Sequence, residues 1–172
     1  LMDINGDGLP DYVDVRTNPP QVRLGTGAGF SGARTWTWPL SSGLSTLRVI
    51  RRTDNEGDVE VSTFDIDGDG LPELVHSRGS GGWNVYDNNG SGFEATPNTA
   101  NGGVAWHAPH DRITELSTSG DVSIQTVDMN GDGLVDLVKS RSDQDSNGFY
   151  IWHVYLNEKN GFAETPIEWL SP

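Results

Sequence analysis

Alternating apolar and polar residues along this chain predict short β-strands. The stretches 59–64 and 122–127 each alternate with a period of two, which is the pattern of a strand with one buried face. Each stretch opens within a Gly-Asp-Val tripeptide, at 57–59 and 120–122, so the same strand is predicted twice in equivalent surroundings. The 22 glycines and 9 prolines among 172 residues also favour short strands and turns over helices.

Three further kinds of apolar segment complete a repeating unit. An earlier strand is predicted at 47–50 and 112–116. A short strand is predicted at 12–15, 74–75 and 137–138, and a last one at 22–24, 83–86 and 152–156. Each unit continues into a Gly-Phe turn and closes with Trp-x-x-Pro, at 36–39, 106–109 and 169–172. The sequence therefore divides into a partial first unit over 1–46, a second over 47–109 and a third over 110–172.

An acidic loop precedes the short third strand of every unit. Its pattern is Asp-x-Asn/Asp-Gly-Asp-Gly-Leu-x-Asp/Glu, and its copies begin at Asp3, Asp65 and Asp128, 62 and 63 residues apart. Such near-constant spacing indicates a repeated structural unit. Four short strands in a unit of roughly 60 residues is the composition of one β-propeller blade. We therefore predict an all-β fold, a β-propeller segment of about two and a half to three four-stranded blades.

Oxygen atoms at alternate positions of the loop predict a calcium site. Calcium takes about six to eight oxygen ligands, and positions 1, 3 and 5 offer side-chain oxygens, position 7 its backbone carbonyl and position 9 a carboxylate. The glycine at position 6 permits a sharp turn. Up to three Ca²⁺ ions are expected. The predicted metal ligands are Asp3, Asn5, Asp7, Leu9 and Asp11; Asp65, Asp67, Asp69, Leu71 and Glu73; and Asp128, Asn130, Asp132, Leu134 and Asp136.

Other interpretations fit these loops less well. Magnesium requires a stricter octahedron, and zinc and copper prefer His and Cys, which the loops lack. An EF-hand places a glutamate at position 12, where this chain has Asp14, His76 and Lys139. Dockerin-type loops precede helices and repeat at shorter intervals. Plain Asn/Asp/Gly surface turns are the remaining alternative, which three copies with the same ligand positions disfavour.

Composition narrows the partners that the chain can have. The net charge of −14 argues against nucleic acid and anionic membranes, although ten of the 25 acidic residues lie in the loops. The absence of cysteine excludes disulfides and cysteine nucleophiles. No stretch approaches a membrane-spanning length, so we expect no membrane insertion. Calcium loops of modest affinity favour an extracellular location, where the ion is plentiful.

No set of residues predicts catalysis, and we expect the chain not to be an enzyme. No Gly-x-Ser-x-Gly elbow is present, and the clustered carboxylates are better explained as metal ligands than as proton shuttles. His107 and His110 flank Pro109, which favours a turn over a metal pair.

The six tryptophans predict core packing, with carbohydrate binding as the alternative. Trp36, Trp106 and Trp169 recur at one repeat position, and Trp83 and Trp152 share a second. Recurrence of this kind is expected for residues packed between blades. Sugar-binding propellers instead display aromatic platforms, so a lectin-like role is the runner-up. It requires exposed Trp side chains beside polar residues in a groove between blades.

The loop pattern, together with Val154-Tyr155-Leu156-Asn157 and Gly161-Phe162 further along, resembles the FG-GAP/VCBS repeat. That resemblance implies calcium-bearing blades of an integrin-α-like β-propeller. The Trp-x-x-Pro terminator is similar to versions in bacterial Rhs/YD-repeat and insecticidal Tc-toxin B-component proteins. The resemblance thus implies an assembly or protein-docking module of a secreted bacterial protein. Since Leu1-Met2-Asp3 correspond to a strand end in the other units, we expect a longer parent chain or other copies to complete the propeller.

Overall fold

The computed structural model describes residues 1–39, 49–77, 82–98 and 105–171. Within these ranges the chain contains β-strands and no helix, so the all-β prediction is confirmed. No helix among the described residues has the length and apolar character to cross a membrane. The strands are β1 (Tyr12–Asp14), β2 (Gln21–Arg23), β3 (Arg34–Thr35), β4 (Arg52–Thr53), β5 (Val59–Phe64), β6 (Glu73–Ser77), β7 (Trp83–Tyr86), β8 (Glu115–Leu116), β9 (Val122–Val127), β10 (Asp136–Gln144), β11 (Tyr150–Tyr155) and β12 (Ile167–Leu170).

The strands form three antiparallel sheets, each an up-and-down meander that is not closed on itself. Their orders are β1-β2-β3, β4-β5-β6-β7 and β8-β9-β10-β11-β12. The two alternating stretches of the sequence are strands with the predicted bounds, β5 and β9. A register shift between Lys139 and Asp143 in β10 interrupts its pairing with β11.

Two expectations about the strands need correction. The expectation of four strands per unit fits the second sheet, whereas the first contains three strands and the third contains five among the described residues. The first strand of the second unit is β4 at Arg52–Thr53, not 47–50; Leu47 and Arg48 lie outside the described residues. Val49 and Ile50 pack against the first hydrophobic cluster without joining a strand.

The Trp-x-x-Pro segments account for the additional strand. In the third unit Trp169 pairs with Trp152, which makes β12 the outermost strand of its sheet. In the second unit Trp106 forms an antiparallel bridge with Trp83, with hydrogen bonds of 2.8 and 3.0 Å between their backbones. In the first unit the segment follows β3, which pairs with β2. In all three units this part of the chain therefore lies beside the last strand before the Gly-Phe turn, which is β2, β7 or β11.

The core lies between successive sheets. One cluster joins the first and second units: Ile4, Val22, Trp36, Trp38, Val61, Leu74, Tyr86 and Phe93. A second cluster joins the second and third units: Val59, Ile66, Val75, Trp83, Val85, Trp106, Ile113, Ile124, Leu137 and Phe162. Neighbouring residues of β6, Leu74 and Val75, enter opposite clusters because successive side chains of a strand point to opposite faces. The second sheet is therefore buried on both faces, with its neighbours stacked against it.

Candidate metal centres

The three acidic loops occupy equivalent places in the three units. The second connects β5 to β6 and the third connects β9 to β10. The first precedes β1, and its ends are held by a backbone pair between Met2 and Asp11, at 2.7 and 3.1 Å. The second and third loops are therefore turns between neighbouring strands of one sheet, and the first holds the equivalent place in front of β1.

The first aspartate of each loop organises the turn around itself. In the second loop, Asp65 accepts hydrogen bonds from the backbone N–H groups of Gly68 at 2.7 Å and Gly70 at 2.9 Å. The other two loops repeat both bonds. Gly70 has a φ of +90°, a left-handed conformation that side chains disfavour, so the sharp turn expected at position 6 is confirmed.

The aspartate at position 5 orients the position-7 residue, whose backbone carbonyl is a predicted calcium ligand. Asp69 accepts a hydrogen bond from the N–H of Leu71 at 2.8 Å, and Asp67 accepts one from the N–H of Asp69 at 3.1 Å. The bond to Leu71 has counterparts of 2.8 Å in both other loops. Because each side chain is tied to the backbone two residues on, the loop oxygens are held in place before any ligand arrives.

The carboxylates at position 9 are buried. The side chain is an aspartate in the first and third loops and the longer glutamate in the second. Asp136 accepts N–H bonds at 2.9 Å from Met129 and from Asn157, which leaves both oxygens engaged by backbone. Asp11 makes the same two kinds of bond. Glu73, one methylene longer, accepts the N–H of Ile66 at 3.0 Å and reaches into the loop.

The second loop gathers the densest set of carboxylates. Within the described residues, Asp65, Asp67 and Glu73 form the group of three acidic side chains that each place an oxygen within 4.8 Å of the others. Burial, with smaller contributions from the charges of Asp67, Asp69 and Asp65, raises the pKa of Glu73 to about 8, against the lowering effect of the Ile66 N–H. Burial also raises the pKa of Asp67. An all-oxygen set of mutually repelling carboxylates fits a hard divalent cation.

One acidic residue beside this site, Asp87, lies outside the loop motif and was not predicted from the sequence. Burial raises the pKa of Asp87, and the charge of Asp69 contributes, which places Asp87 beside the second loop. Asn98 donates hydrogen bonds to both of its carboxylate oxygens, at 2.9 and 3.1 Å. The other units have Leu24 and Leu156 at this position. An aspartate at a repeat position that is otherwise apolar was the signal available.

The loops of successive units touch one another. A Cβ built on Gly6 would lie 2.6 Å from the carbonyl oxygen of Gly70, and one built on Gly68 would lie 2.6 Å from a methyl group of Leu134. An open depression of about 400 Å³ between the second and third loops is lined by Asp65, Asp69, Asp132 and Lys159, among others. The candidate centres therefore form a row along one side of the stacked sheets.

The His107 and His110 side chains and the buried tryptophans lie outside this row of loops. His107 contacts the Gly161-Phe162 turn, and His110 packs edge-on against Tyr155 with 5.9 Å between the ring centroids. Trp36, Trp38, Trp83 and Trp106 are buried, as core packing predicts, whereas Trp169 is 41% exposed. Burial of these four side chains counts against their serving as sugar platforms.

The chain belongs to the FG-GAP-like repeat family. The sequence pattern of that family matches residues 3–75 and again 65–139, so each match starts at one acidic loop and runs through the next. No curated protein and no solved structure matches the chain.

Proposed function

We propose that the chain is a calcium-stabilised segment of a β-propeller. The observation that carries this proposal is the convergence of Asp65, Asp67 and Glu73 in a loop whose backbone pattern recurs in all three units. In the second centre the ligands would be Asp65, Asp67, Asp69, the carbonyl of Leu71 and Glu73. The corresponding positions would hold ions in the first and third loops.

The role of each ion is structural. It neutralises carboxylates that otherwise repel one another and fixes the turn that leads into β1, β6 or β10. The unfolded chain has no such site, so the free energy of binding adds to the free energy of folding. Because the loops of adjacent units touch, calcium binding also stabilises the packing between neighbouring sheets.

In the proposed setting the segment is a scaffold and a protein-docking module of a larger secreted bacterial protein, of the Rhs or Tc-toxin type that the terminator resembles. Supporting this are the family membership, the stacked sheets and the apolar residues left exposed on the first and third units. Further units of a parent chain, or other copies, would complete the propeller. An extracellular location supplies the calcium.

The test is a calorimetric calcium titration of chelator-treated protein, paired with thermal melts. We expect two or three binding events and a higher melting temperature with calcium, and a smaller response to magnesium. Asp65→Ser should lose one event. Asp145→Ser is the matched control, because Asp145 accepts N–H bonds from Asn147 and Phe149 in an exposed turn outside the loop motif. No heat and no change in melting temperature would show that the loops are only turns.

A further inference from the structure

Two buried asparagines, Asn88 and Asn157, connect the acidic loops of successive units in the same way. Each side-chain amide donates a hydrogen bond of 2.7 Å to the carbonyl at position 2 of one loop and a hydrogen bond of 3.1 Å to the carbonyl at position 8 of the next. The accepting residues are Ile4 and Pro72 for Asn88, and Ile66 and Val135 for Asn157. Positions 2 and 8 each lie between two predicted ligand positions, so one amide holds the ligand-bearing backbone of two loops.

Successive loops also touch directly, at position 4 of the earlier loop. A Cβ built on Gly6 would lie 2.6 Å from the carbonyl oxygen of Gly70 and 3.1 Å from a methyl group of Leu71. One built on Gly68 would lie 2.6 Å from a methyl group of Leu134. Leu71 and Leu134 occupy position 7, so the residue whose carbonyl is a predicted ligand packs against the turn of the loop before it.

The third loop is tied to the second through a predicted ligand as well. Asp136, at position 9, accepts the backbone N–H of Asn157 at 2.9 Å. The side chain of that same Asn157 holds Ile66 in the second loop. A displacement of the Asp136 carboxylate therefore moves the residue that fixes the neighbouring loop.

We propose that the three loops bind calcium cooperatively, each filled loop raising the calcium affinity of the loop next to it. This inference rests on the calcium role proposed above and adds a dependence between the sites. Each loop has two states, the closed turn of the structure and an open one in which its carboxylates separate. Because a closed loop holds its neighbour closed through the asparagine and glycine contacts, the neighbour's ligands are already in place when its ion arrives.

The charges of the loops act in the opposite direction. A filled loop is less negative than an empty one, so it attracts the next ion less strongly. This attraction between exposed charges falls off over about 8 Å at physiological ionic strength, whereas interactions between buried groups are screened much less. We therefore expect a net coupling of about fivefold in affinity, at the lower end of the range for two sites in one protein.

The order of the contacts predicts which sites respond to which. The second loop contacts both of the others, through Asn88 and Gly6 on one side and Asn157 and Gly68 on the other. It should also fill first, because it has four carboxylates where the first and third loops have three. Emptying the second loop should therefore lower the calcium affinity of both neighbours.

The test is a calcium titration of the whole chelator-treated chain, followed by NMR at the position-6 glycines Gly8, Gly70 and Gly133. Each donates its N–H to the first aspartate of its own loop, at 2.7 to 3.0 Å, so its resonance reports that loop. The second loop is emptied by the double substitution Asp67→Asn and Asp69→Asn. Both amide oxygens can still accept the backbone N–H groups that the carboxylates accept now. We expect the midpoints at Gly8 and Gly133 to rise about fivefold in calcium concentration.

This comparison is matched in charge. The double variant lacks two carboxylates, and its empty second loop therefore has the same net charge as the filled loop of the unmodified chain. A change in the neighbours' affinity is then caused by the contacts between loops and not by a change in attraction.

Asn157→Ala tests the path of the coupling. In that background the double substitution should still raise the midpoint at Gly8, whose loop is held through Asn88, and should move Gly133 much less. Asn147→Ala is the matched control, because its amide donates to Asp145 in an exposed turn, and it should leave both responses intact. The comparison without any change at Asn157 decides the proposal even where Asn157→Ala fails to fold.

The outcomes separate this inference from the calcium role. If all three glycines respond to calcium but the midpoints at Gly8 and Gly133 stay where they are in the double variant, the sites are independent and this inference alone is overturned. If none of the three glycines responds to calcium, the calcium role is overturned and the cooperativity with it.

Discussion

The side-chain amide of Asn157 donates a hydrogen bond to the backbone carbonyl of Ile66, 91 residues earlier in the chain, at 2.7 Å. The same amide also donates to the carbonyl of Val135 at 3.1 Å. Ile66 belongs to the acidic loop of the second unit and Val135 to that of the third. A single buried asparagine therefore connects two candidate metal centres, and Asn88 does the same between the first and second.

Replacing Asn157 with alanine should destabilise the chain by about 1–3 kcal/mol, because two loop carbonyls lose their donor in a buried site. Urea unfolding in the presence of calcium measures the loss. Asn147→Ala is the control, since Asn147 is exposed and its amide donates to Asp145 in a surface turn; its effect should stay within about 0.5 kcal/mol. Equal effects of the two substitutions would show that the connection between the loops carries no stability.

Gly92→Ala should cost about 1–3 kcal/mol of stability, because the added methyl group would lie 2.5 Å from the Cβ and 2.7 Å from the backbone nitrogen of Thr37. Gly29→Ala, at the same repeat position, should leave the stability of a single chain unchanged or slightly higher, since it meets open space. Thermal unfolding at low protein concentration compares the two. If the Gly29→Ala chain were as unstable as the Gly92→Ala chain, the contact with Thr37 would not be the cause of the destabilisation.

The repeating unit could be predicted from the sequence because its main signals are local. The alternation in β5 and β9 identifies them because its period of two is that of a β-strand. The acidic loop carries its own turn residues and its own hydrogen bonds. Its position in front of β1, β6 and β10 follows once those strands are recognised.

The backbone contacts between successive units could not be predicted, because each depends on one residue pair far apart in sequence. Thr37 and Gly92 form an isolated bridge, and a bridge of one residue has no periodicity to detect. The prediction that Trp169 lies in the core with Trp36 and Trp106 is wrong, since its side chain is 41% exposed. Trp106 packs against Phe162 of the following unit, a contact that no local sequence pattern shows. Asp87 was missed because its neighbours in space are the second loop and Asn98.

Asp67→Asn should weaken calcium binding at the second loop by on the order of tenfold, because it removes one carboxylate while keeping the size of the side chain. The amide oxygen can still accept the N–H of Asp69, as Asn130 accepts that of Asp132 at 2.9 Å. The reciprocal change, Asn130→Asp, should strengthen binding at the third loop. Calorimetric titration of both variants checks the pair. If neither affinity moves, the third position is not a ligand.

In the metal-free protein, stability should fall as pH rises from about 4.5 to about 8. Burial raises the pKa of Glu73 to about 8 from an ordinary value of 4.5, so across this interval the folded chain keeps a proton that the unfolded chain releases. Unfolding then releases a proton and becomes easier at higher pH. Above about pH 8 both states are ionised, and the loss of stability reaches its full extent.

Glu73→Gln isolates this effect, because the substitution removes the titrating group at the same size. Urea unfolding in a chelator, repeated between pH 5 and pH 8, should give a smaller fall in stability for the variant than for the unmodified chain. Burial lowers the pKa of His110, but that residue contributes equally to both proteins and cancels in the comparison. Glu164→Gln, at an exposed position, is the matched control and should retain the full pH dependence.

Calcium, which binds the ionised carboxylate, should displace the Glu73 proton, so titrations in buffers of different ionisation enthalpy should show proton release at pH 7 and little at pH 9. A Glu73→Gln chain with the same pH dependence as the unmodified chain would place the titration elsewhere.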